Sequence, residues 1–230
     1  MNEPLIDVII AVYNCEAFVA EAIESAVRQS WQNIKIIVVD DGSTDGTLAV
    51  LHQLEVTYAN IQIIPLPHTG VATALNTGVA ASTANYIALL DADDLWHNDK
   101  LKKQMLQMER DDADMCFTYI SEFDTISPGD HSHGYAARLK PIKGYFKTTM
   151  LTHRLNFVKY GGFDEKISMG DFIEWFSRLV RDNKNMVIVE EVLAYRRVHN
   201  ANTTRGVNKN AYLKILKSHI DKKRGLDSLS

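Results

Sequence analysis

The chain has 230 residues, enough for one substantial core, and its 46% hydrophobic and 23% charged content is that of an ordinary globular protein. A formal net charge of −4 and a pI near 6.1 argue against a nucleic-acid binder, which carries a basic face. No apolar run approaches the roughly 20 residues that span a bilayer. Glu3 stands where a secretory leader would be basic, and Cys15 and Cys116 fit no metal or redox spacing, so a cytoplasmic protein with reduced thiols is expected.

Strands and helices alternate through the first half. Ile6 to Val12 is an apolar, β-branched run that predicts a strand; Asn14 follows as a helix cap, then Phe18, Ala22, Ile23, Ala26 and Val27 at helical spacing. Ile34 to Val39 is a second strand closed by Asp40-Asp41-Gly42-Ser43, with Leu48, Leu51 and Leu54 marking the next helix. A third strand, Ile61 to Ile64, ends at Pro65 and Pro67, and a helix from Val71 to Ala81 leads to the strand Tyr86-Ile87-Ala88-Leu89-Leu90. Near-continuous Val and Ile strands between amphipathic helices predict an α/β fold, a mostly parallel sheet with helices on both faces.

The second half is less regular. Lys100 to Arg110 reads as a helix and Met115 to Ile120 as a strand, while the Gly-, Ser-, His- and Pro-rich stretch from Asp124 to Gly144 suggests a lid. Asp171 to Arg181 is a helix with Phe172, Trp175, Phe176 and Leu179 inward, and Met186 to Val189 and Leu193 to Val198 read as two strands. Trp96 is expected in the core.

The chemistry concentrates where strands end. Tyr13-Asn14, Asp40-Asp41-Gly42-Ser43, His68-Thr69-Gly70 and Asp91-Ala92-Asp93-Asp94 follow four successive strands, and parallel pairing puts all four clusters on one edge of the sheet, where α/β folds bind ligands. Two carboxylates about 4 Å apart repel by about 4 kcal/mol at an effective dielectric of about 20, so the acidic cluster calls for a positive partner. Oxygen ligands point to a hard cation, magnesium or manganese, completed by water and substrate phosphates. A nucleotide site follows: Tyr13 covers a base or packs in the core, a carboxylate accepts the imide N–H of uracil, and a metal holds a diphosphate. Asp40-Asp41-Gly42-Ser43 also reads as a plain turn with a helix cap, and Asp171, at the start of its helix, as a plain cap.

These residues resemble the successive signatures of glycosyltransferase family 2: Ile9-Ile10-Ala11-Val12-Tyr13-Asn14, Val38-Val39-Asp40-Asp41-Gly42-Ser43-Thr44-Asp45, Ala74-Leu75-Asn76-Thr77-Gly78, Leu90-Asp91-Ala92-Asp93-Asp94 and, later, Gly161-Gly162-Phe163-Asp164-Glu165 with Gly170-Asp171 and Glu174-Trp175. The resemblance implies a GT-A-type, Rossmann-like fold, a nucleoside-diphospho-sugar donor that is usually uridine-linked, a divalent cation and an inverting transfer. It assigns Ala11, Tyr13, Asn14, Asp41 and Asn76 to the nucleotide and donor, Asp91 to the donor ribose or sugar, Asp93 to the metal and Asp171 to the general base. Leu75 stands where relatives often carry Arg, and Gly170 where they carry Glu. The closing Arg196-Arg197-Val198-His199, with Asn202 and Arg205, is similar to the family's last segment; His199 would complete the metal shell or bind diphosphate, and Arg196 or Arg205 would meet phosphate.

The expected organisation is one domain over 1–230, with a nucleotide-sugar and metal half at 1–98, an acceptor and catalytic-base half at 99–205 and a basic helix at 206–230. Lysines alternate with Leu213, Ile215, Leu216 and Ile220 in that helix, which would be solvated or rest on an anionic membrane near a lipid-linked acceptor. The acceptor itself is a hydroxyl of a glycan, a lipid-linked sugar or a small molecule. Processive synthesis is not expected, because the chain lacks a Gln-x-x-Arg-Trp motif and a membrane span. Two rivals stand beside this reading. A nucleotidyltransferase would bring a Gly-rich, Lys- or Arg-bearing loop after the first strand, and a silent sugar-nucleotide binding module would not hydrolyse donor.

Overall fold

The computed structural model describes residues 3–124, 141–167, 170–182 and 184–199. The strands are β1 (Ile6–Val12), β2 (Ile34–Asp40), β3 (Ile61–Pro65), β4 (Tyr86–Leu89), β5 (Leu95–Trp96), β6 (Met115–Asp124), β7 (Leu151–His153) and β8 (Met186–Val198). The helices are α1 (Val19–Val27), α2 (Thr47–Thr57), α3 (Val71–Ala81), α4 (Lys100–Asp111), α5 (Arg154–Tyr160) and α6 (Asp171–Arg181), with a 3-10 turn at Lys147–Thr149. Arg205, the basic segment at 206–230 and most of the stretch expected as a lid lie outside the described residues.

The strands form one sheet in the order β3-β2-β1-β4-β7-β6-β8-β5. β1 pairs in parallel with β2 on one side and β4 on the other, and β2 with β3. The chain thus leaves β1 in one direction and returns for β4 in the other, which opens a crevice beyond the carboxyl ends of these two strands. Past β4 the sheet becomes mixed: β7 is antiparallel to β4 and β6, β8 runs parallel to β6, and β5 is antiparallel to β8.

Both faces of the central strands are covered, which is why those strands read as unbroken apolar runs. Val8, Ile10, Ile36, Val38, Ala88 and Leu90 pack with α1, α2 and α4 through Ile23, Leu51 and Met105. Alternate residues Ile9, Ile37, Val39, Ile87 and Leu89 pack with α3, α5 and α6 through Leu75, Phe157 and Trp175. Fully burying each such side chain contributes about 1.5–3 kcal/mol relative to exposure. Gly78 lets α3 sit this close, since a Cβ there would lie 2.4 Å from Ile9 Cγ2.

Three elements differ from the sequence reading. β8 is one strand rather than two: the pairing with β6 skips from Thr118–Val189 to Tyr119–Val192, a bulge that turns the exposed Glu190 and Glu191 out of the ladder. β6 runs on to Asp124 because β8 pairs along its whole length. Asn14 is not a helix cap. It sits at φ 46°, its side-chain oxygen accepts the Thr44 N–H at 2.7 Å, and α1 starts only at Val19. β5, β7 and α5 were not foreseen; none exceeds seven residues.

A buried polar network anchors the 3-10 turn. Trp96, in the core as expected, donates its Nε1–H to Thr148 O at 2.8 Å, and Gln104 donates from Nε2 to Thr149 O at 2.9 Å and Cys116 O at 2.8 Å. Lys100, fully buried, donates to Gln104 Oε1 at 2.8 Å and lies 3.9 Å from the centre of the Trp96 ring. Burial pushes its pKa down from 10.5 to about 7. Between those values the unfolded chain holds the extra proton, so stability rises with pH, by about 1.4 kcal/mol per unit for a full proton. Urea denaturation at pH 7, 8 and 9 should show parent stability gaining on that of Lys100→Met as pH rises; a constant difference would show that Lys100 keeps its charge when buried.

Candidate active site

The acidic cluster forms a tight turn after β4, with the Asp94 N–H donating to Asp91 O at 3.0 Å. Asp94 is buried, and burial together with the charges of Asp91 and Asp93 pushes its carboxyl well above the ordinary carboxylate range. Arg197, on β8, grips the turn from below. Its backbone N–H donates to Asp94 Oδ1 at 3.1 Å, its Nε to Asp93 O at 3.0 Å and its Nη2 to Glu21 Oε2 at 2.6 Å. The guanidinium lies 4.9 Å from the ring centre of Phe18 and 4.8 Å from that of Phe123, so the buried cation is paired, bonded and packed. Just beyond the strand, His199 Nε2 lies 2.9 Å from Asp93 Oδ2, with its ring centre 4.6 Å from that of Phe18.

A lysine that no motif marked completes this wall. Lys147 Nζ is 2.9 Å from Asp91 Oδ1, and its side chain is only 17% exposed. Burial opposes its charge, but attraction to Asp91, then Asp171 and Asp94, outweighs that and raises its pKa above the ordinary lysine value. Asp171 is the first residue of α6. It has one carboxylate oxygen, Oδ2, that is buried without a hydrogen-bond partner among the described residues, and it caps nothing through its side chain. The plain-cap reading of Asp171 is therefore set aside.

At the other end of the edge, Asp41 is a buried hub. Oδ1 accepts the Thr69 N–H at 2.7 Å and the Thr69 hydroxyl at 3.0 Å, while Oδ2 accepts the Gly70 N–H at 2.9 Å and lies 2.9 Å from His68 Nδ1. The exposed Tyr13 ring stacks on His68 with centres 4.1 Å apart. Ala11 is half-buried next to the end of β1, in register with Val39. The Asn14 N–H donates to Ser43 Oγ at 3.0 Å, so Asn14 ties the first two loops of the edge together.

Two residues expected at the donor have protein partners of their own. Asn76 donates to Phe163 O at 2.9 Å and accepts the Phe163 N–H at 2.8 Å, clasping the Gly161-Gly162 loop to α3, because an amide offers both a donor and an acceptor to one backbone residue. Arg196 pairs with Glu122 across the β6–β8 ladder at 3.2 Å. Leu75, where relatives often carry Arg, is core. Sequence reasoning missed Lys147 and the grip of Arg197. For Lys147 the only signal was the surplus of acid on the edge, which named no partner.

Among the described residues no group of three or more His, Cys, Asp or Glu is arranged to hold a metal. Asp93 and His199 nevertheless converge on one point beside two further carboxylates, and an oxygen with an imidazole suits manganese when phosphate and water supply the remaining ligands. The two cysteines are free thiols whose pKa values burial pushes up to about 12. No helix among the described residues is long and apolar enough to cross a membrane.

Comparison with known proteins places this geometry. An uncharacterised glycosyltransferase of Rickettsia typhi is 31% identical over 221 residues, covering 87% of this chain and 66% of that protein. S. aureus TarS in complex with UDP-GlcNAc superposes with a TM-score of 0.71 at 16% identity, over 88% of this chain and 61% of that one. Mannosyltransferase PcManGT from Pyrobaculum calidifontis, in complex with GDP-Man and Mn2+, superposes at 0.70 and 16% identity, over 89% and 60%. The chain thus spans about two thirds or less of the length of these proteins, and the two structures share its GT-A-type fold. The model of glycosyl transferase family 2 matches residues 7–164, and with the relative just described it establishes that the chain belongs to that family.

Proposed function

We propose that the protein is an inverting, metal-dependent glycosyltransferase that moves one sugar from a UDP-linked donor to a hydroxyl acceptor. The observation that carries the reading is the acidic turn after β4, where Asp93 Oδ2 lies 2.9 Å from His199 Nε2 and Asp91 Oδ1 lies 2.9 Å from Lys147 Nζ, so that carboxylates, an imidazole and an ammonium meet beyond the carboxyl end of a parallel strand. TarS with UDP-GlcNAc and PcManGT with GDP-Man and Mn2+ support a nucleotide-sugar donor and a divalent cation.

In this reading Tyr13 covers the uracil, whose imide N–H replaces exposed His68 at Asp41 Oδ2. Ala11 and Asn14 line the approach, Asp91 turns to a donor hydroxyl, and Asp93 with His199 would hold the cation, whose charge offsets that of the departing diphosphate. Asp171 takes the proton of the acceptor hydroxyl as its oxygen bonds to the anomeric carbon. The bond to the diphosphate breaks on the opposite face, and its electron pair leaves with the diphosphate. Residues 1–98 bind donor and 99–205 supply the base. A nucleotidyltransferase is disfavoured, because β1 is followed by Tyr13-Asn14-Cys15-Glu16 rather than a Gly-rich cationic loop.

Calorimetry should find UDP binding weak in chelator and much tighter with manganese, a gain that Asp93→Ala removes. Equal affinity in both conditions would take the metal out of the assignment. Asp171→Asn keeps the shape but cannot accept a proton; it should bind UDP and manganese almost normally while transfer falls about a hundredfold or more, the scale of general-base catalysis. Near-normal turnover in that variant would remove Asp171 from the mechanism.

A further inference from the structure

We propose that Lys147 is a positioning residue that holds Asp91 out of the metal shell and leaves it to the donor. The inference rests on the reading of Asp93 and His199 as cation ligands.

Asp91 and Asp93 lie in one turn, and the charges of both push up the pKa of the buried Asp94. Left to themselves, two such carboxylates would close on the same divalent cation, since hard cations gather as many oxygen ligands as geometry allows. Lys147 stands in the way. Its ammonium holds Asp91 Oδ1 at 2.9 Å, and Oδ2 has no other partner among the described residues, which suits it to a sugar or ribose hydroxyl.

The lysine can act as a fixed post because its own backbone is tied down. Thr148 O accepts from Trp96 Nε1 at 2.8 Å, Thr149 O accepts from Gln104 Nε2 at 2.9 Å, and the Thr149 hydroxyl donates to Phe146 O at 2.9 Å. Lys100 in turn fixes Gln104. The 3-10 turn is therefore braced from the core on two successive carbonyls, and Asp91 can leave Lys147 only by breaking an ion pair in a half-buried, acidic site.

The test uses manganese alone and UDP with saturating manganese as probes, on the parent, Lys147→Met and Lys147→Arg. Without the ammonium, Asp91 joins Asp93 on the ion: Lys147→Met should bind manganese about tenfold tighter than the parent, within the range of outer-shell effects on metal affinity. UDP binding in manganese should weaken by about the same factor, and Lys147→Arg should behave like the parent. The opposite signs separate positioning from a packing role, which would weaken both. In an Asp91→Asn background the same lysine substitution should leave manganese affinity unchanged, because the pair is already broken. If Lys147→Met fails to fold, Lys147→Gln carries the same expectation.

Weakened or unaltered manganese binding in Lys147→Met would overturn the inference, provided the parent binds manganese and UDP. A parent that binds neither probe would overturn the proposed function, and this inference with it.

Discussion

Placing Asp91, Asp93 and Asp94 in one turn at the end of β4 concentrates negative charge where the sheet opens, and much of the remaining structure offsets that concentration. Unit charges about 5 Å apart still repel by about 3 kcal/mol at an effective dielectric of about 20. Three devices answer the repulsion. Asp94 sinks into the core, where its carboxyl favours the protonated form. Arg197 binds the turn through Asp93 O and balances its own charge on Glu21. Lys147 neutralises Asp91 directly. Every one of these cations comes from the second half of the chain, so the mixed extension of the sheet is what makes the parallel half chemically tolerable.

The two ends of the sheet edge are built on different terms. The acidic turn is braced from beneath by a buried guanidinium and from the side by a turn pinned to Trp96 and Gln104. At the other end, Asp41 organises the loop between β3 and α3 by accepting its backbone N–H groups, and only the exposed His68 among its partners can leave without unfolding that loop. A ligand that enters beside Tyr13 therefore competes with one side chain and not with the scaffold. A rigid acidic end and an adjustable Asp41 end follow from where the hydrogen bonds go.

Period and length decided which parts of this structure were legible in the sequence. Strands buried on both faces announced themselves as Val and Ile runs, and the limits read for α3 and α6 match those observed, because Val71 to Ala81 and Asp171 to Arg181 are bounded by Gly70, Ser82, Gly170 and Asp182. β5, β7 and α5 span too few residues to show a period. The break expected between Val189 and Leu193 is absent, because a bulge lets Glu190 and Glu191 stay exposed while the strand continues. Asn14 misled as a cap because a small polar side chain after a strand suits a helix start and a loop tie equally well, and only geometry shows that the Thr44 N–H takes its oxygen. Lys147 was invisible because its partner lies far away in sequence and nothing local distinguishes a lysine in a Phe-Lys-Thr-Thr stretch from a solvated one.

Gly170, directly before Asp171, has a backbone role. It precedes α6 at φ 91° and ψ 12°, in the left-handed region, where an L side chain costs roughly 1–2 kcal/mol. A glycine meets that turn freely, and the geometry it allows sets Asp171 as the first residue of α6 with Oδ2 turned inward. The consequence is electrostatic as well as steric. With no carboxylate directly before Asp171, the acidic charge that acts on Lys147 from α6 is that of Asp171, beside those of Asp91 and Asp94 in the turn. A second acid at position 170 would compete for the same ammonium and weaken its hold on Asp91.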